Sequence, residues 1–165
     1  MKKNINDRGL IIHFKKHPGE YIEEIMIKDP EYIHWLEKKE KIDKFQDIYN
    51  HINQCIEIFD NKPFIDKCYG KLNGNPCNQQ ATRISFIPES TNPHFWCDNC
   101  DNRSQLLDLA DDLIYVKTYR EAVQFVKCYC SDRKYEYQNI ISVMLKAKGF
   151  KGDLSVKNIL SFFYD

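Results

Sequence analysis

Four cysteines in the middle of the chain constrain its folding more than any other feature. Cys97 and Cys100 form a C-x-x-C in "HFWCDNC", and Cys68 and Cys77 lie upstream, separated by "YGKLNGNP". Between the pairs, "ATRISFI" alternates as a strand and "PHFW" is placed to return antiparallel to it. A tight C-x-x-C turn presents two sulfurs to one ion, and zinc takes four thiolate or imidazole ligands in a tetrahedron. The pattern predicts a structural Zn2+ site at Cys68, Cys77, Cys97 and Cys100. Four protein ligands leave no coordination position open for chemistry.

This layout, two cysteine-bearing turns joined by a β-hairpin, resembles a zinc ribbon. The first turn is longer than the usual spacing of two to four residues between ligands. His94 is the alternative ligand for one of the first pair, since it lies close by and imidazole coordinates zinc. A redox-active C-x-x-C calls for a βαβ setting, which these polar, loop-like surroundings lack; plain thiols are the remaining alternative. Ile84, Phe86, Phe95 and Trp96 are the expected packing set. So small an apolar set makes the metal a main source of folding free energy, about 10 kcal/mol for structural zinc.

The seven cysteines of this 165-residue chain are an odd number, against a complete disulfide framework. The opening "MKKNINDRG" is charged and has no apolar core of signal-peptide length. Together these point to a reducing, intracellular compartment, cytoplasm or nucleus. No apolar run of membrane-spanning length occurs. Charge balances at 24 basic and 24 acidic residues, about −2 over 1–60 and about +1 over each of 61–104 and 105–165. The absence of a basic block argues against binding nucleic acid mainly through net charge, though a local basic face is compatible with it.

In the first sixty residues, "GLIIHF" is β-prone and Pro18-Gly19 marks a turn. Ile22, Ile25 and Met26 then share one side of a short helix. Asp29 and Pro30 sit at N-cap and first-turn positions of another, which carries Tyr32, Ile33, Trp35 and Leu36. Ile42, Phe45, Ile48, Ile52, Cys55, Ile56 and Phe59 predict a long amphipathic helix over about 41–59. The stretch "HFKKHPGEYIEEIMIKDPEYIHWLEKKE" resembles the small C-terminal domain of exodeoxyribonuclease X-type proteins. Phe14, Lys16, Gly19, Ile22, Ile25, Asp29, Tyr32 and Trp35 fall on that pattern, while Lys15 and Pro18 depart from it. The resemblance implies an accessory module beside nucleic-acid-processing domains, without the exonuclease's acidic metal-binding core.

In the C-terminal third, Leu106, Leu109, Ala110 and Leu113 predict a helix through "SQLLDLADDLIYV". Thr118 and Glu121 form a capping-box pair ahead of a second helix, with Ala122, Val123, Val126 and Cys130 on one side. Cys128 and Cys130 diverge on a helix, so Cys130 reads as core and Cys128 as incidental. A third helix buries Ile140, Ile141, Met144 and Ala147 and ends at Gly149. A fourth begins near Ser155 and carries Ile159, Leu160, Phe162 and Phe163.

No phosphate-binding glycine loop, nucleophile elbow or acid/base pair is found. His13, His17, His34 and His51 are read as lacking a cysteine or second histidine at chelating spacing. The expectation is an α+β protein, not an enzyme: a strand-turn-helix module (1–60), a zinc-ribbon β-hairpin (64–104) and a helical region (105–165). Lys15, Lys16, Arg83 and Arg103 are its candidate phosphate contacts. The expected partner is nucleic acid or a nucleic-acid-processing complex. The alternative is a protein-interaction adaptor or inhibitor, of viral or mobile-element origin, anchored by Trp35 or by Phe162 and Phe163.

Overall fold

The computed structural model describes residues 8–14, 16–39, 42–72, 74–88, 90–100, 113–130 and 133–165. It mixes helices with small antiparallel sheets, an α+β chain. Two compact units divide it, one of residues 1–61 with 150–165 and one of residues 62–149. The expected region 105–165 is therefore split, its first two described helices falling in one unit and its last in the other.

The first unit is helical. The "GLIIHF" run makes a single antiparallel bridge, Ile11 to Tyr21, where a strand was expected. Gly19, at φ +84°, lets the intervening turn close with its N–H on the Ile12 carbonyl. Helix α1 (Ile22–Lys28) buries Ile22, Glu23, Ile25, Met26 and Ile27. Helix α2 (Pro30–Glu37) starts as its sequence predicts: Asp29 accepts a hydrogen bond from the Tyr32 N–H, and Pro30 fills the first turn. The long helix begins later than expected. Asp43–Phe45 form a 3-10 turn before α3 (Gln46–Asn61), and Ile42 is left exposed. Phe45 causes the offset by packing edge-on to Phe14 and Trp35, which holds the chain in a tight turn there.

Ile52, Cys55, Ile56 and Phe59 make the buried stripe of α3. Helix α6 (Val156–Tyr164) packs against α1 and α3. Phe162 meets Phe59 and Phe150 edge-on at centroid distances of 6.2 and 6.0 Å. Phe162 and Phe163 are both buried, so they serve the core and are not an exposed anchor. Apolar side chains this near to one another lower free energy by leaving water together.

The second unit is built on a three-stranded antiparallel sheet of order β4-β3-β5. Strands β3 (Arg83–Phe86) and β4 (His94–Trp96) form the expected hairpin, with Ile84 opposite Phe95. Strand β5 (Ile114–Val116) pairs along the other edge of β3. That corrects the helix expected through "LIYV"; Leu106, Leu109 and Ala110 lie outside the described residues. An Ile-Tyr-Val run suits a pleated surface better than a helix once a sheet edge is on offer. A separate short hairpin, β1 (Lys71–Leu72) with β2 (Asn75–Pro76), precedes the sheet.

Helix α4 (Tyr119–Tyr129) carries the expected capping box, Thr118 and Glu121 each accepting from the other's backbone N–H. Its Phe125 meets Phe86 of β3 with tilted rings, centroids 5.1 Å apart, tying helix to sheet. Helix α5 (Lys134–Ala147) buries Ile140, Ile141, Met144 and Ala147 and packs on α4. Gly149, at φ +90°, ends it as predicted.

Candidate metal centre

All four predicted cysteines meet in the second unit. Each is buried, and their sulfurs lie within 4.8 Å of one another. The local sequence explains how. The long spacer between Cys68 and Cys77 folds back on itself as β1–β2, with Gly74 at φ +80° in its turn. The Cys77 N–H then donates to the Gly70 carbonyl at 2.7 Å, closing the first turn. Asn73-Gly74 is the sequence signal for that hairpin, and its unusual length is thereby accounted for. The second turn holds Cys97 and Cys100 directly after β4, with Trp96 packed among the sulfurs.

The geometry suits a tetrahedral ion. Cys77 Sγ and Cys97 Sγ are 3.7 Å apart. Zinc–sulfur bonds of about 2.3 Å place tetrahedral sulfurs about 3.8 Å from each other. The Gly70 N–H points at Cys68 Sγ from 3.3 Å. A side chain at Gly70 would fill this cradle: its Cβ would stand 2.7 Å from Cys100 Sγ and 3.2 Å from Cys68 Sγ.

The thiols are electrostatically unequal. Burial opposes ionisation of Cys97, but hydrogen bonds from the Asn99 backbone and from the neighbouring thiols outweigh it and hold Cys97 below the usual thiol range. Burial pushes the Cys68 and Cys100 thiols up. A divalent cation among them would replace the thiol protons and offset two of the four thiolate charges. His94 does not join the group; it stands on β4 opposite Ser85.

Of the other predicted site residues, Lys16 and Trp35 belong to the first unit and Arg83 to the second. Lys15 and Arg103 lie outside the described residues. Lys16 forms an ion pair with the buried Asp29, which also accepts from His17 at 2.9 Å, so its charge is matched within the fold. The Arg83 guanidinium lies 4.7 Å over the ring of Tyr115 on the neighbouring strand. Its Nε has no hydrogen-bond partner among the described residues. Trp35 is half-buried, stacked on Tyr32 at 5.4 Å, with Lys39 Nζ over its ring.

A second set of ligand-type side chains converges in the first unit. Glu23, His51 and Cys55 bring donor atoms within 4.8 Å of one another. Reading His51 as unaccompanied overlooks Cys55, which follows it by one helical turn on the same face of α3.

No family model matches the chain, and no curated protein or solved structure is significantly similar to it. No helix among the described residues is long and apolar enough to cross a membrane.

Proposed function

We propose that the second unit is a zinc ribbon-like module in which Cys68, Cys77, Cys97 and Cys100 hold one structural Zn2+. The whole chain would then be a non-enzymatic accessory protein that engages nucleic acid or a nucleic-acid-processing complex. The convergence of four buried thiols within 4.8 Å of one another, one pair of them at 3.7 Å, carries this reading. Zinc fits better than a hard cation because thiolates are soft ligands. The resemblance of residues 13–40 to the exodeoxyribonuclease X-type accessory domain supports the same setting.

Arg83 is the cation best placed for nucleic acid. It lies on the hairpin with its guanidinium over the ring of the exposed Tyr115. An aromatic ring with a guanidinium over it offers a stacking surface for an unpaired base and a contact for phosphate. Lys16 is a weaker candidate, since binding phosphate would break its pair with Asp29.

A second reading, docking onto a protein, rests on different residues. Ile65 and Tyr69 flank Cys68 and are 60% and 58% exposed. Apolar side chains of that kind suit a partner surface.

A binding screen of the zinc-loaded protein against single- and double-stranded DNA and RNA separates the two readings. Salt-dependent binding that weakens in Arg83→Ala supports nucleic-acid engagement. No binding to any probe, with nuclease-resistant capture of one protein partner that Tyr69→Ala abolishes, supports docking instead.

A further inference from the structure

Glu23 on α1 is a carboxylate with no solvent exposure. Its Oε1 is 2.8 Å from His51 Nε2 and 3.8 Å from Cys55 Sγ, and it accepts a hydrogen bond from the Tyr164 hydroxyl. The Tyr164 hydroxyl is also 3.2 Å from His51 Nε2 and 3.8 Å from Cys55 Sγ. Three helices of the first unit, α1, α3 and α6, thus aim four donor atoms at one point. Oε2 of the same buried carboxylate has no partner among the described residues.

A carboxylate taken out of water requires a positive charge or a full set of donors. The His51 ring, the thiol and the phenol all converge on Oε1 and leave Oε2 with no partner among the described residues. His51 and Cys55, one turn apart on one helix, have the spacing with which a helix presents two ligands to a single ion. Tetrahedral ligands at about 2.0–2.3 Å stand about 3.3–3.8 Å apart. The two Cys55 separations of 3.8 Å match that range, whereas Glu23, His51 and Tyr164 stand at hydrogen-bond distance from one another and would part to admit an ion. We propose that Glu23, His51 and Cys55 form a second metal site, taking a zinc-class divalent ion with the Tyr164 hydroxyl at the fourth corner.

The ligand chemistry selects the ion. A thiolate and an imidazole reject magnesium and calcium, while one carboxylate, one nitrogen and one sulfur together suit zinc or cobalt. On binding, the Cys55 thiol proton passes to solvent. The ion then carries the positive charge that Glu23 requires. Three protein ligands make this a different kind of centre from the four-cysteine cluster, since its fourth position admits a water or the phenol. The site does not depend on the zinc-ribbon reading, because none of its residues lies in the second unit.

The test is zinc content of the full-length protein, stripped with chelator, reconstituted with Zn2+ and freed of excess. Wild type is expected to hold two equivalents. His51→Ala and Glu23→Gln should each hold one, and so should Cys97→Ser, which loses the other ion. Glu23→Gln keeps the shape of the buried side chain, so it stands in should His51→Ala fail to fold. Cobalt loading gives an independent readout: Glu23→Gln should lose one of two sets of visible ligand-field bands. One equivalent in wild type that Glu23→Gln retains and Cys97→Ser loses overturns the proposal. So do two equivalents that persist in Glu23→Gln. One equivalent that Glu23→Gln loses and Cys97→Ser retains supports this site and instead overturns the zinc-ribbon reading.

Discussion

The sulfurs of Cys77 and Cys97 stand 3.7 Å apart across twenty residues of sequence. Among the described residues, that separation is held by the β3–β4 pairing, the Thr82 N–H on the Trp96 carbonyl, the Trp96–Ser85 hydrogen bond and the turns that carry the cysteines, a small framework for a buried cluster. A metal bound there is therefore expected to supply much of the folding free energy of the module, about 10 kcal/mol or more. Cys97→Ser should lower the thermal midpoint of unfolding sharply, and chelator should reproduce the effect in wild type. Differential scanning calorimetry with and without chelator measures both.

Gly70→Ala probes the cradle without replacing a ligand. The added methyl would stand 2.7 Å from Cys100 Sγ, closer than any real Cβ contact allows, so a sulfur must move. Overpacking of this kind costs about 1–3 kcal/mol. The expected result is a lower midpoint in urea and faster zinc transfer to a competing chelator.

Trp96 and Ser85 are linked by a buried hydrogen bond, the indole N–H donating to Ser85 Oγ at 2.7 Å. Ser85→Ala leaves that N–H without its acceptor inside the sheet. A loss of about 1–3 kcal/mol is expected, measured by chemical denaturation.

Acid should weaken the first unit through Asp29. Burial alone would raise its carboxyl, but hydrogen bonds from Lys16 and His17, with the Tyr32 N–H, outweigh burial and hold it below its ordinary value of 3.8. A depressed folded value means that the stabilisation is complete above the unfolded value and is lost as pH falls through the folded one. Asp29→Asn retains a good helix cap but loses the charge. Its stability deficit should be present at pH 7 and shrink at pH 3, where wild type approaches the same neutral form. Urea midpoints at the two values test this; a deficit unchanged by acid counts against the ion pair.

Features set by neighbouring residues were the legible ones. Asp29-Pro30, Thr118 with Glu121, and Gly149 each act within one helical turn, and all three mark real helix ends. The four cysteines were legible because ligand type and the hairpin between them leave few other arrangements. Strand β5 was not, since its pairing with β3 spans about thirty residues and is invisible to local periodicity. Phe162 and Phe163 read as possible anchors because their cover, Phe59 among it, lies far away in sequence. Glu23 was missed for the same reason: a lone acid on a short helix reads as solvated until His51 and Tyr164 are brought against it.

The ligand set of the central ion gives the most direct test. Zinc K-edge X-ray absorption on the His51→Ala protein isolates the four-cysteine site from the Glu23 cluster. Four sulfur neighbours at about 2.3 Å are the result predicted by the account. A shell of nitrogen and oxygen donors, or a folded chain that binds no metal, contradicts it.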